Sequence, residues 1–462
     1  MTSQTSSRDG VDIAHALQRI QAAVDRCNLI GLIDPSGRGG SVFFQTIFDR
    51  HPEVACCPLV VYSYSYFLKR FGNRQVVAAK EALDHLVNES YFRLIYNEPV
   101  EQNVLLISRF NAGTTKRIDR AVIRTLIDAY FVGRQHMTRR EVLLVQFVIW
   151  RLVQGFDINR LKYALVSDAI SARDENVVTG FRGGIVDEMV SDFPEAHLIR
   201  LVRDVRATFA SPRHQFVNAL GNMYALSPSN YLRRLRDLLL ADLRADNGCI
   251  YLYWLLYLRQ SALAMQRMVA RHPDRFLTVR NEDLNINFVP TMAGIAHRLG
   301  IEVIADWRSD AFEPTIAGEK WGGIGAYNTN YQHVTDGLLK NDEATVSANA
   351  AGPNRYVTER WRKRLSHREI ALIERLFKSE LDDYGYDFVS GEQHRSLTGS
   401  FARNAMPPFL GELPTLPWLR EGARRGLREF GRRLFYALTF PPFYLGSRVL
   451  FAHFIFNRRI FD

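Results

Sequence analysis

The residues that first suggest chemistry lie between Leu29 and Val54, in the run LIGLIDPSGRGGSVFFQTIFDRHPEV. An apolar segment, Leu29 to Ile33, leads into a cluster of glycines, and a helical pattern of apolar residues follows. A strand that ends in a glycine-rich turn before a helix lets backbone N–H groups converge, and the helix N-terminus adds a partial positive charge. This pattern predicts an anion-binding loop with Arg38 at its edge.

The loop differs from the common mononucleotide-binding loop. The pattern G-x-x-x-x-G-K-[ST] places its glycines one residue closer together than Gly31 and Gly37, and Arg38 stands where its lysine would be. A tight connection between a strand and a helix, without any ligand, is the alternative interpretation of such a turn.

Apolar segments typical of strands alternate with helical patterns along the chain. After the first strand, candidates are NVLLISRF (Asn103 to Phe110), KYALVSD, HLIRLVRD and RFLTVRNEDL, while EVLLVQFVIWRLVQGF (Glu141 to Phe156) indicates a buried helix. Strands that alternate with helices predict a parallel sheet covered on both faces. The expected fold class is therefore α/β, with a central parallel β-sheet flanked by helices, helical insertions and a basic C-terminal helical tail.

The same patterns predict three parts of the chain. Residues 1–27 form an N-terminal helical segment, and residues 28–390 form the main domain, with helical insertions at about 60–160 and 220–270. Residues 391–462 contain a proline-rich linker, MPPFLGELPTLPW, and a basic, aromatic tail.

Four separate segments resemble, in the family's order, the sulfotransferases that use 3′-phosphoadenosine 5′-phosphosulfate (PAPS). GRGGSVFFQTIFDRHPEV looks like the 5′-phosphosulfate loop, and FPEAHLIRLVRDVRATFAS resembles the 3′-phosphate motif, with Arg203 and Ser211 eight residues apart as that motif requires. RFLTVRNEDL is similar to the strand and Glu-Asp-Leu turn before the late helices, and IAGEKWGG resembles the Gly-x-x-Trp loop that closes over the nucleotide. The resemblance implies a P-loop-like sulfotransferase fold of the bacterial or carbohydrate type, with PAPS as cofactor and adenosine 3′,5′-bisphosphate as product.

The resemblance also implies roles for individual residues. Backbone N–H groups of the glycine loop, Gly37 to Ser41, would hold the 5′-phosphate. Arg38 would stabilise the negative charge that builds on the bridging oxygen as the bond to sulfur breaks. Arg203 would form a forked hydrogen bond with the 3′-phosphate, and Ser211 would add a donor. A surface ion pair of Arg203 with Asp204 is the alternative. The residues implied to bind the cofactor are Gly37, Arg38, Gly39, Gly40, Ser41, Val42, Phe43, Arg203, Ser211, Lys320, Trp321 and Gly322.

The sequence does not show the usual catalytic base plainly. Transfer to a hydroxyl requires a group that takes the acceptor's proton. Asp168 follows the apolar part of KYALVSD, and functional groups of α/β proteins collect at strand ends, so it is the first candidate. His214 is the second, with packing on a helix as its alternative role. Glu282 and Asp283 indicate a helix cap or structural anchor, not a catalytic pair.

Composition limits the class of protein further. The chain has 462 residues, a formal net charge of +10 and a sequence pI near 9.4, which favour anionic partners but do not distinguish a phosphorylated cofactor from a membrane surface. The start, MTSQTSSRDGVDIAHALQRIQAAV, lacks the apolar core of a secretory signal, so we expect a cytoplasmic protein. We also expect no nucleic-acid partner. No metal site and no disulfide framework is expected from the spacing of the cysteines, Cys27, Cys56, Cys57 and Cys249.

The tail holds much of the positive charge. Residues 401–462 contain ten arginines and four acids, a surplus of 10 − 4 = +6. An amphipathic stripe runs through LREGARRGLREFGRRLFYAL, and the apolar segment after it is interrupted by Pro441, Pro442 and Arg448, which argues against a spanning helix. A basic amphipathic helix with aromatic anchors suits the inner face of an anionic membrane. A helix that docks on the catalytic domain, or in a homodimer interface, is the alternative.

Three functions compete at this point. The first is a sulfotransferase that moves the sulfonate of PAPS to a hydroxyl or amine of a lipid, glycan or secondary-metabolite acceptor. The second is a non-catalytic, membrane-associated nucleotide-binding scaffold with the same fold, which the missing consensus base supports. The third, a P-loop kinase, lacks the expected lysine. The acceptor pocket is expected in the insertion between about residues 60 and 163, where no motif identifies the acceptor.

Overall fold

The structure, a computed structural model, is centred on a parallel β-sheet. It describes residues 12–34, 39–57, 63–90, 92–97, 119–168, 175–176, 181–182, 184–211, 251–309, 311–316, 318–320, 352–409 and 413–461. The strands of the central sheet are β1 (Asn28–Ile33), β2 (Val54–Cys56), β5 (Tyr163–Asp168), β8 (His197–Val202) and β9 (Phe276–Arg280). Short antiparallel pairs are formed by β3 (Val76–Ala78) with β4 (His136–Thr138), β6 (Glu175–Asn176) with β7 (Phe181–Arg182), and β10 (Thr315–Ile316) with β11 (Glu319–Lys320).

The central strands lie in the order β2-β5-β1-β8-β9, and every neighbouring pair is parallel. Their carboxyl ends therefore meet at one edge of the sheet. The strand β1 is buried along almost its whole length, as expected for a strand covered on both faces. Gly31 allows close packing there, since a β-carbon at that position would lie 2.8 Å from Cδ2 of Leu198.

Helices cover both faces of the sheet. They are α1 (Ile13–Arg26), α2 (Ser41–Phe48), α3 (Ser63–Phe71), α4 (Ala79–Asp84), α5 (Arg93–Tyr96), α6 (Arg120–Phe131), α7 (Arg139–Val153), α8 (Ile185–Asp192), α9 (Tyr251–Arg271), α10 (Asn281–Ile286), α11 (Phe288–Leu299), α12 (Arg355–Glu359), α13 (Trp361–Arg364), α14 (His367–Leu376), α15 (Lys378–Asp383), α16 (Leu397–Ser400), α17 (Leu416–Arg424) and α18 (Leu427–Phe456). Residues 205–211 are also helical.

Alternate residues of β1 belong to two different cores. Leu29 and Ile33 pack in the core formed with α1, α3 and α7, while Ile30 and Leu32 pack in the core formed with α2 and α11. This alternation follows from the two-residue period of a strand. A third core lies beneath the C-terminal helices, where α9 and α14 contact α17 and α18.

The predicted α/β class, with a central parallel sheet flanked by helices, is confirmed. Four predicted strands correspond to β1, β5, β8 and β9, and the predicted buried helix corresponds to α7. The candidate strand Asn103 to Phe110 lies outside the described residues, as do 220–250 of the second expected insertion. The first expected insertion contains the helices α3 to α6 and the antiparallel pair of β3 with β4.

The C-terminal region packs on the main body. Pro441 and Pro442 do not end the helix, since α18 continues through both to Phe456. Part of the expected linker is also held, because Arg368 of α14 donates hydrogen bonds to the carbonyl oxygens of Pro407 and Pro408 at 2.7 and 3.4 Å. The aromatic residues of the tail contribute to the third core through Trp418, Tyr436, Phe451, Phe454 and Phe461.

One buried carboxylate connects the C-terminal helices to the segment after β8. Glu374 of α14 has no exposed surface. It accepts a hydrogen bond from Nη1 of Arg206 at 2.5 Å and bonds from the backbone N–H groups of Val389 and Ser390 at 3.0 and 2.9 Å. Removing one member of such a buried pair leaves an uncompensated charge.

We therefore expect Glu374→Ala to lower the free energy of unfolding by about 3 kcal/mol, because the buried Arg206 would keep only Asp204 as a carboxylate partner and the N–H groups of Val389 and Ser390 would lose their acceptor. Urea unfolding followed by circular dichroism measures the change. The matched control is Glu359→Ala, since Glu359 forms an exposed ion pair with Arg355 and should contribute less than about 1 kcal/mol. Equal losses in the two variants would show that the buried connection is not special.

Candidate functional site

The candidate site begins where β1 ends. Asp34 directly follows the strand and is buried, and its Oδ2 accepts a hydrogen bond from the backbone N–H of Gly39 at 2.9 Å. Ser41, two residues later, is the first residue of α2 and is partly exposed. The loop thus returns on itself and directs the N-terminus of α2 to the carboxyl edge of the sheet, where a helix N-terminus favours an anion.

Gly40 determines the geometry of this turn. It precedes α2 with φ +103°, in the left-handed region that favours glycine. A β-carbon at Gly40 would lie 2.1 Å from Nδ2 of Asn281, the first residue of α10. The loop after β1 and the turn after β9 therefore touch at the one position where no side chain fits.

Arg203 lies at the same edge, immediately after β8. Its Nη2 donates a hydrogen bond to the carbonyl oxygen of Val357 at 3.3 Å. Burial lowers the pKa of the Arg203 guanidinium, and the charges of Glu282, Asp204 and Asp34 act in the opposite direction. Because β1 and β8 are adjacent parallel strands, Arg203 and the glycine loop face the same side of the sheet.

Glu282 holds the segment after β8 in place. Its Oε1 accepts the backbone N–H of Asp204 at 3.1 Å, and its Oε2 accepts the hydroxyl of Tyr386 at 2.7 Å. Burial raises the pKa of Glu282, although the Tyr386 hydrogen bond and the Arg203 charge oppose the rise. The predicted structural role of Glu282 is confirmed. Asp204 pairs with Arg206 at 2.8 Å, so its carboxylate is engaged there.

A second arginine, Arg360, stands close to Arg203. It follows α12 and is partly buried. Burial lowers its pKa well below the ordinary value, and the charges of Arg203 and Arg364 lower it further. Within the described part of the chain no carboxylate forms an ion pair with Arg360. Like charges brought together in a poorly solvated place are stabilised by a bound anion.

Sequence reasoning missed Arg360. It occurs in ERWRKRL, a run of basic residues before an amphipathic helix, and such a run is usually a solvated surface. Only the contact between the segment around Val357 and Arg203 distinguishes Arg360 from its neighbours. Asp34 was also missed, because its position after a strand did not indicate that its carboxylate would accept a hydrogen bond from Gly39.

Other predicted residues are placed as follows. Asp168 is the last residue of β5 and pairs in register with Ile33, so it belongs to the same carboxyl edge. Val42 and Phe43 lie in the first turn of α2 and are partly exposed, and Ser211 is partly exposed in the helical segment 205–211. Outside the described residues lie Gly37, Arg38, His214, Trp321 and Gly322.

Lys320 lies in β11, which is held near the far end of α2. Asp49, the residue after α2, accepts hydrogen bonds from the hydroxyl of Thr315 and from the backbone N–H of Gly318, both at 2.8 Å. Since α2 has eight residues and rises about 1.5 Å per residue, its ends are roughly 12 Å apart. The hairpin of β10 with β11 is thus anchored at the C-terminal end of α2, away from the glycine loop.

Arg203 also borders an open cleft of about 640 Å³. The cleft lies between β8, α9 and α15 and is lined mostly by apolar side chains, with Arg200 and Tyr384 among the others. The guanidinium of Arg200 lies over the ring of Tyr384, 5.3 Å from its centroid. The site therefore combines two cationic side chains, a helix N-terminus and a carboxylate at one edge of the sheet.

We expect Gly40→Ala to weaken binding of inorganic pyrophosphate, as a probe for anions at this loop, at least about tenfold, because the added methyl must displace Asn281 and open the loop. Isothermal titration calorimetry measures the affinity. Gly72→Ala is the control for a glycine with positive φ: Gly72 has φ +64°, but a β-carbon there meets nothing within 4 Å. Equal affinities in the two variants would show that the contact of Gly40 with Asn281 does not shape the binding site.

Comparison with known proteins adds a structural likeness. No family model matches the sequence, and no curated protein matches it. The sulfotransferase domain from the curacin biosynthetic pathway aligns with 79% of this chain and 99% of its own, at 12% identity and a TM-score of 0.38. The sulfotransferase domain of the Synechococcus PCC 7002 olefin synthase aligns with 79% of this chain and 97% of its own, at 15% identity and a TM-score of 0.39. Sulfotransferase STF9 from Mycobacterium avium aligns with 81% of this chain and 82% of its own, at 10% identity and a TM-score of 0.32. The assignment of site residues rests on the geometry above, not on these likenesses.

Proposed function

We propose that this chain is a PAPS-dependent sulfotransferase that transfers a sulfonate group to a hydroxyl or amine. The observation that carries the proposal is the pair of anion-binding elements at the ends of two adjacent parallel strands. The glycine loop and α2 follow β1, and Arg203 follows β8. PAPS carries its 5′-phosphosulfate and its 3′-phosphate on opposite sides of one ribose, so a ligand with two separated anionic groups fits this arrangement.

The 5′ group is assigned to the glycine loop. The N-terminus of α2 and the hydroxyl of Ser41 provide donors for a phosphate. Arg38 is proposed to stabilise the charge that develops on the bridging oxygen as the sulfonate leaves. PAPS supplies the activated sulfonate, and the chain supplies the donors that hold it and the group that takes the acceptor's proton.

The 3′-phosphate is assigned to Arg203, with Arg360 as a second cation and Ser211 as a further donor. This assignment explains why two arginines lie together in a place from which water is partly excluded. An arginine fork matches a phosphate in geometry as well as charge. A nucleotide without a 3′-phosphate, such as ATP, would bring no anion to this position to offset the charge of Arg360.

The acceptor class is proposed only as a hydroxyl or amine of a lipid, glycan or secondary metabolite. Asp168 is the favoured base because β5 brings it to the edge where β1 ends. His214 is the second candidate. The roles of Lys320, Trp321 and Gly322 as a loop over the nucleotide remain part of the proposal.

One observation favours the alternative, a nucleotide-binding scaffold that lacks turnover. Asp34 occupies the backbone N–H of Gly39 and places a carboxylate inside the loop that would hold the 5′-phosphate. A negative charge there opposes a second one. Incubation of the full chain with labelled PAPS and a lipid-plus-metabolite extract distinguishes the two functions, because the scaffold would bind the nucleotide and sulfate nothing.

We expect Arg203→Ala and Arg360→Ala each to weaken binding of adenosine 3′,5′-bisphosphate about 10- to 100-fold, as charge-assisted hydrogen bonds contribute about 1.5–3 kcal/mol. Binding of AMP, which lacks the 3′-phosphate, should change less than about threefold under the same relation. Calorimetric titration with both nucleotides gives the preference.

The control for this pair is Arg355→Ala. Arg355 lies on α12 near Arg360, but its guanidinium is exposed and pairs with Glu359 at 3.5 Å. Its loss should leave the preference for the 3′-phosphate unchanged. If Arg203→Ala keeps the full preference, the 3′-phosphate assignment is wrong.

For the transfer step we expect Asp168→Asn to remove the acid limb of the pH profile of kcat/KM. A carboxylate base must be deprotonated, so activity of the unaltered chain should rise with pH through the pKa of the base and then level off. His214→Gln is the parallel variant. If the limb disappears in His214→Gln and persists in Asp168→Asn, the histidine is the base, and the proposal for Asp168 fails.

A further inference from the structure

The helix α18 has two apolar faces, and among the residues that the structure describes only one of these faces is covered by packing. The inner face contacts α9 and α17 and contributes Tyr436, Phe451, Phe454 and Ile455 to the third core. A helix of 30 residues that packs one face on its own protein normally presents polar residues on the other. This helix does not.

The outer face carries a continuous stripe of large apolar side chains. Successive members of the stripe are alternately seven and four positions apart in the sequence. At 100° per residue of an α-helix, their positions around the helix axis fall within a sector of about 60°. Their exposed fractions range from 38% for Leu434 to 89% for Leu427. The outer stripe consists of Leu427, Leu434, Leu438, Leu445 and Val449. It extends along most of a helix about 45 Å long.

Two buried arginines fix the orientation of this stripe. Nε of Arg433 donates to Glu429 at 2.8 Å, and its Nη1 donates to the carbonyl oxygen of Trp418 in α17. Nε of Arg448 donates to the carbonyl oxygen of Ala405 at 3.1 Å. Both arginines point into the body, so α18 cannot rotate to bury its outer face without breaking these bonds.

Charge around the outer stripe has one sign. Exposed arginines lie near both ends of α18, with Arg420 and Arg428 at the N-terminal end and Arg458 and Arg459 at the C-terminal end. Residues 413–461 contain two acidic residues, and both form ion pairs with arginines of their own helix or directly after it. Glu421 pairs with Arg424 and Arg425, and Glu429 pairs with Arg432 and Arg433.

A second copy of the chain does not complement this surface. Whether two α18 helices run parallel or antiparallel, their arginine-rich ends would meet, and no free carboxylate of the described tail would separate them. Apolar side chains flanked by arginines fit an anionic lipid surface instead, where each basic residue adds attraction and each apolar side chain is removed from water.

We propose that the outer stripe of α18 lies flat on an anionic membrane surface, with its leucines in the boundary between headgroups and acyl chains. In the described part of the chain, no helix has the length and hydropathy required to span a bilayer. The proposal is independent of the transfer reaction. It differs from the sequence expectation of a basic tail after a linker, because the helix is fixed on the body and carries the membrane-facing residues outward.

The test uses the full chain and sedimentation with vesicles. One set of vesicles is pure phosphatidylcholine, and the other contains phosphatidylglycerol as well. The triple variant Leu427→Gln, Leu438→Gln and Leu445→Gln changes only exposed side chains. We expect its partition coefficient on the anionic vesicles to fall on the order of 100-fold, since each leucine loses its burial in lipid. Raising the salt to 1 M should weaken the binding of the unaltered chain.

The matched control is Val76→Gln, Val132→Gln and Ile286→Gln, three apolar side chains that are 45–76% exposed elsewhere on the surface. Its partition should equal that of the unaltered chain. Nucleotide binding is measured on all three proteins, so a failure of the membrane proposal is separate from a failure of the proposed enzyme. The proposal is overturned if the unaltered chain does not sediment with anionic vesicles, or if the leucine variant binds them equally well. It is also overturned if the unaltered chain is a dimer that the leucine variant converts to a monomer, because a second copy would then cover the stripe.

Discussion

The repulsion between Arg203 and Arg360 is the constraint on which the site depends. Burial lowers the pKa of both guanidinium groups, and the charge of Arg203 lowers the pKa of Arg360 further. The chain holds them there with neutral or internally balanced contacts. The carbonyl oxygen of Val357 accepts from Arg203, and Glu282 is shared between a backbone N–H and Tyr386. The charges of Glu282, Asp204 and Asp34 partly offset that of Arg203, and a bound phosphate would offset the positive charge that Arg360 adds.

Buried arginines recur through the protein and serve a different purpose elsewhere. Arg139 pairs with Asp192 and Glu188 at 2.5 Å, and Arg206 pairs with Asp204 and Glu374. Arg151 donates to the carbonyl oxygen of His51 at 2.6 Å, and burial lowers its pKa to about 10. These side chains connect segments far apart in sequence, because a guanidinium has five donors and a long stem. Arg360 has no such internal partner among the described residues, and this contrast is the reason why we propose it as a binding residue.

The C-terminal region shows how one helix can belong to the body and still present a second surface. Tyr436 and Phe451 bury its inner face, while Leu438 is 72% exposed on the outer one. A proline-rich segment and a run of arginines indicate a mobile tail when only sequence is considered. The hydrogen bonds from Arg368 to Pro407 and Pro408 remove that freedom. A fixed helix loses little further conformational entropy when it meets a surface, which favours binding.

The sequence by itself indicated four of the five central strands and the placement of Arg203 after a strand, and it predicted an anion-binding loop before α2. These features are local, because the period of the apolar residues, the glycine content and the residues at the end of a strand or helix indicate them directly. Only the tertiary structure decided that Arg360 stands beside Arg203, that Asp34 bonds Gly39 within the loop, that the hairpin bearing Lys320 is anchored at the far end of α2, and which face of α18 is covered. Each of these depends on contacts between segments far apart in the chain, or, for Asp34, on how a turn closes. Residue type and spacing cannot distinguish a solvated arginine from one that a distant backbone carbonyl and a neighbouring guanidinium hold in place.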